Sequence, residues 1–94
     1  MVAKRRVQCP LVMIEWVDSV QPQSRWEMLA NVGHPSGVKC VSVGWLVSDQ
    51  KDRKSLAPNM GAVGSESMQV SGIITIPARS ITKITRLKEP RIKI

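Results

Sequence analysis

Apolar side chains recur at every second position along residues 38–49. Val41, Val43, Trp45 and Val47 fall on one face, and the small or mixed Cys40, Ser42, Gly44 and Leu46 fall on the other. Together with Val38, this density of β-branched and aromatic residues predicts a strand. Gly44 at its middle predicts a bulge, a sharp bend or close approach by another backbone. A strongly bent central strand is what a small barrel needs.

The same alternation marks the rest of the chain. At 11–17, Val12, Ile14 and Trp16 form a cleanly apolar face against Leu11, Met13, Glu15 and Val17, which predicts a half-buried first strand. Ser24-Arg25-Trp26-Glu27 fits a capping box, so one to two helical turns are expected at 24–31, with Trp26, Leu29 and Ala30 sharing a face. Gly33, Pro35 and Gly37 end them. Residues 50–54 read as an exposed polar hairpin connection, 55–58 as a short strand and 59–67 as a glycine- and serine-containing loop. A β-rich run at 70–76 stops at Pro77, and 81–87 alternates Ile81, Lys83, Thr85 and Leu87 against Thr82, Ile84 and Arg86. The expectation is a mainly β fold: a small five-stranded, strongly bent antiparallel barrel with one short helix over its end. Val43, Trp45, Ile74, Ile76 and Ile84 are its expected core. The barrel would occupy 11–88, between a basic N-terminal arm at 1–10 and a basic tail at 89–94.

Composition sharpens this picture. The chain has 94 residues with three Trp and neither Phe nor Tyr, so its core rests on aliphatic residues and each Trp is conspicuous. One domain of this size buries a modest core. Met13, Met28, Leu56 and Met68 exceed what a minimal core needs, and short strands leave edges to cover, so a homo-oligomer is expected. Fourteen Lys and Arg against seven Asp and Glu give a net charge of +7, which favours polyanionic partners. Cys9 and Cys40 are too few and too far apart in sequence for a disulfide framework, and they read as reduced thiols. The basic start and short apolar run look superficially like a signal peptide, but Glu15 and Asp18 interrupt the run too early. No stretch approaches the roughly twenty apolar residues of a membrane span, so a cytoplasmic chain without membrane attachment is expected.

Two segments, Gly44-Trp45-Leu46-Val47-Ser48-Asp49 followed by Leu56, and Ile76-Pro77-Ala78-Arg79-Ser80-Ile81-Thr82-Lys83-Ile84, are similar to the paired signatures of Sm-like proteins. The resemblance covers about half of the chain and implies a small barrel with an RNA-binding surface. An Sm-like barrel opens with its helix, whereas here a strand precedes the predicted helix, which keeps the wider SH3-like class open. Trp16, Asp18, Trp26, the Cys40–Leu46 stretch and the late Ile-Pro turn also resemble small bacteriophage-encoded proteins. That resemblance implies a host-cell cytoplasmic setting, including counter-defence.

Acid–base catalysis needs positioned proton carriers, and the single histidine, His34, sits in a Gly/Pro/Ser loop. Cys9, Cys40 and His34 lack the close ligand pairs of a zinc site, and no phosphate-cradling glycine motif is present. The expectation is a non-enzymatic binder without cofactor or metal. Arg79 after the Ile-Pro turn, with Lys83 and Arg86 beyond it, supplies cations for phosphate, and Trp26 supplies a stacking face. Residues 51–54 and the N-terminal arm are the next candidates. Three partners fit these ingredients: a small anionic nucleotide held by an oligomer, RNA on an Sm-like surface, and an acidic host protein.

Overall fold

The computed structural model describes residues 9–19, 24–33 and 36–90. His34, most of the basic arm and the last four residues of the tail lie outside the described residues. The elements are β1 (Leu11–Asp18), a 3-10 turn at Leu29–Asn31, β2 (Val38–Asp49), β3 (Arg53–Ala57), β4 (Asn59–Gly61), β5 (Gln69–Ser71), β6 (Ile74–Pro77), a second 3-10 turn at Ala78–Ser80, and β7 (Ile81–Arg86). Five strands form an antiparallel sheet in the order β6-β3-β2-β1-β7, and β4 and β5 form a separate two-stranded sheet. The edge strands of the larger sheet, β6 and β7, follow each other in sequence through the second 3-10 turn but form no ladder with each other among the described residues, so the sheet is open and the expected closed barrel is not formed.

The long central strand serves two ladders in succession. Val38–Trp45 pairs with β1 and Trp45–Asp49 with β3, with a register shift between Leu46 and Ser48. This bulge re-aims the strand where it changes partners. Gly44 sits beside that change: a Cβ built there would lie 2.9 Å from the Ala57 carbonyl oxygen and 3.1 Å from its carbon. The close backbone approach expected at Gly44 is therefore real, and it lets β3 fold tightly across β2.

The buried core consists of Val12, Ile14, Leu56, Ala57 and Ile76, with Trp16, Leu46, Ile74 and Ile81 packed against it. This corrects the expected core. Ile76 is fully buried and Ile74 packs at its side, but Val43 and Ile84 are 51% and 42% exposed and Trp45 is half-buried. The cause is register. Val12 and Ile14 lie opposite Gly44 and Ser42, so β2 turns its small side chains inward and its larger ones outward. Ile84 shares the face of Ile14 but sits on an edge strand whose far flank is open. Leu56, counted as surplus in the sequence, is part of the core.

Two further expectations change. Residues 24–31 form no α-helix and cover no end of the sheet; only the 3-10 turn at Leu29–Asn31 is present, and it buries none of its residues. The run at 70–76 is two strands, broken at Gly72, whose φ of +77° is the left-handed geometry that glycine adopts without strain. That turn sends β5 back to β4 and β6 on to β3. Asn59 and Gly61, read as loop residues, pair with Ser71 and Gln69 in the small sheet.

Candidate functional site

The sharp turn after β2 is closed by Gln50, whose amide donates to the Arg53 carbonyl at 3.0 Å. Lys51 and Asp52 stand exposed at its tip. Pro77, which ends β6, lies opposite Arg53, and the Ala78 amide donates to the Asp52 carbonyl at 2.9 Å. That bond ties the second 3-10 turn to the β2–β3 turn. Between them lies an open cleft of about 730 Å³, lined by Lys51, Asp52, Pro77, Ala78 and Arg79.

The cations around this cleft differ in what they already hold. Arg53 donates from Nη1 to Asp52 Oδ1 at 2.7 Å, and Lys54 pairs with Asp49 while donating to the Gln50 carbonyl at 3.0 Å. Among the described residues, Lys51 and Arg79 form no ion pair. Two cationic residues from separate turns therefore line one cleft together with Asp52, Pro77 and Ala78, and Asp52 is itself paired with Arg53. Such an arrangement suits an anion: guanidinium offers a planar pair of donors, and ammonium adds positive potential.

Of the four residues singled out in the sequence, only Arg79 lines the cleft. Lys83 lies opposite Glu15 in the β1–β7 ladder, on the sheet face turned away from the core. Arg86 is exposed opposite Val12 at the end of β7. Trp26 is 99% exposed and stacks against none of the described residues. Lys51 and Asp52 belong to the stretch named second; their charge and turn position were the only sequence signals available. Among the described residues no three His, Cys, Asp or Glu side chains cluster as metal ligands, and no helix is long and apolar enough to cross a membrane. Cys9 and Cys40 are free thiols.

No family model, curated protein or solved structure matches this chain.

Proposed function

We propose that the chain is a non-enzymatic binding module that holds a nucleotide-like anion in the cleft between the β2–β3 turn and the Pro77–Arg79 turn. The observation that carries this reading is the convergence of Lys51 and Arg79, both without an ion pair among the described residues, on one open cleft that Pro77 and Ala78 also line. Arg79 takes phosphate oxygens as a planar fork, Lys51 adds a point charge, and Pro77 with Ala78 offers a surface for a base or ribose. Asp52 keeps Arg53 directed at the turn. The net charge of +7 draws anions toward the whole surface, while the cleft gives them a fixed seat.

An RNA-binding reading of the same cleft has its own support. The five-stranded sheet is open in the order β6-β3-β2-β1-β7, and its two edge strands follow each other through a 3-10 turn; closing the sheet across that turn would give the small barrel that the Sm-like resemblance implies. A cleft open at its sides admits a strand passing through as well as a single nucleotide. Titration with adenosine nucleotides and with a polyuridine oligomer separates the two. Saturable binding of the mononucleotide, with a shallow salt dependence, supports the first reading. Binding of the oligomer alone, falling steeply with salt as each phosphate contact releases counterions, supports the second. No binding of either would overturn both.

A further inference from the structure

The face of the large sheet turned away from the core carries Met13 and Glu15 of β1, Val41 and Val43 of β2, and Lys83 and Thr85 of β7, aligned by register. Directly opposite residues in antiparallel strands project to the same side, so these form one surface. Val41 is 63% exposed, and Val43 is open to a similar degree. A second apolar surface stands uncovered on the β1–β2 connection: Trp26, Met28 and Leu29, the last 88% exposed.

That connection has the wording of a helix without its structure. Ser24 and Glu27 stand at capping-box spacing, yet the 3-10 turn at Leu29–Asn31 starts from Met28 with no side-chain cap. Isolated helices shorter than about 12 residues are marginal in water, so this segment needs a surface to fold against. Wound as a helix, it would put Trp26, Leu29 and Ala30 on one side. Charge also matches. Arg25 and Glu27 flank Trp26 and pair with each other at 3.7 Å across exposed surface, a weak contact that can exchange for Glu15 and Lys83, which stand opposite each other on the sheet face.

We propose that residues 24–31 of one copy dock as a short helix on the outer sheet face of a second copy, and that the exchange is reciprocal across a two-fold axis. Each copy then covers both of its uncovered apolar surfaces, and Arg25 and Glu27 meet Glu15 and Lys83 of the other chain. Self-association opposed by a net charge of +7 should strengthen as salt screens the repulsion, the reverse of the salt dependence of anion binding. The inference stands independently of the anion cleft.

Sedimentation equilibrium of the full chain at low and high salt tests it. A dimer that tightens with salt is expected. Trp26→Ser, at a position too exposed to unfold the sheet, should weaken association by about tenfold or more, as a contact at the centre of an interface does. Val43→Glu should do the same from the other side, with Val43→Thr as the milder variant that keeps the β-branched shape. A mixture of Trp26→Ser and Val43→Glu chains forms pairs with one intact contact and one that carries both changes, so it should associate more tightly than the weaker variant alone. A wild-type monomer into the upper micromolar range, or undiminished association of Trp26→Ser or of Val43→Glu, would overturn the proposal.

Discussion

Trp16 donates its indole N–H to the Ser42 hydroxyl at 3.0 Å, a diagonal bond across the β1–β2 ladder in which Trp16 itself lies opposite Cys40. The ring packs against the core through its carbon framework and satisfies its one polar atom on a neighbouring strand. Trp45 differs: its Nε1 is buried with no hydrogen-bond partner among the described residues. The two indoles sit on opposite faces of the same sheet, and only the core-facing one is tied down by a side chain.

The Trp16–Ser42 bond should contribute about 0.5–1.5 kcal/mol, the net worth of a neutral protein hydrogen bond. Ser42→Ala and Trp16→Phe, combined in a double-mutant cycle and followed by urea unfolding, should show a coupling of that size. Additive effects would mean that the bond contributes nothing beyond packing.

Core truncation should follow the register. Leu56→Ala removes a fully buried side chain and should cost about 2–5 kcal/mol. Val43→Ala, on the exposed outer face, should cost about 0.5 kcal/mol or less in the isolated chain. Denaturant midpoints measured at low concentration check the ranking; a larger loss at Val43 than at Leu56 would place the core on the other face.

Glycine replacements should divide by space. A Cβ at Gly37 would meet the Asp18 carbonyl oxygen and Val17 Cγ1 at 2.5 Å, and one at Gly44 would meet the Ala57 backbone, whereas Gly61 has nothing within 4 Å. Gly37→Ala and Gly44→Ala should each destabilise by about 1–3 kcal/mol, because backbone must move to admit the methyl group. Gly61→Ala should leave the thermal midpoint nearly unchanged.

Anion affinity should depend on the cleft and not on the rest of the basic surface. Loss of one charged hydrogen bond costs about 1.5–3 kcal/mol, so Arg79→Ala should weaken nucleotide binding roughly tenfold or more. Lys51→Ala should act in the same direction, while Lys83→Ala and Arg86→Ala should change affinity little. Asp52→Asn should raise affinity a few-fold, since it removes a negative charge from the cleft and releases Arg53 from its ion pair. Calorimetric titration of these variants reads all five outcomes, and an unchanged Arg79→Ala would move the site elsewhere.

Period-two alternation at 11–17, 38–49 and 81–87 placed three main strands of the sheet, because side chains that alternate between two faces repeat every second residue whatever the fold. Gly44 likewise announced the close backbone approach that a side chain there would block. The capping box at Ser24–Glu27 was equally legible and misled, since so short a helix forms only against a surface. Which face of β2 turns inward was decided by its register with β1, and no pattern within β2 contains its partner's register. The cleft shows the same division. Arg79 stood out by its place after the Ile-Pro turn, but its meeting with Lys51 and Asp52 depends on β3 pairing with β6, which brings together two turns far apart in sequence. Local sequence determines what each strand and turn is made of; long-range pairing determines which of them face one another.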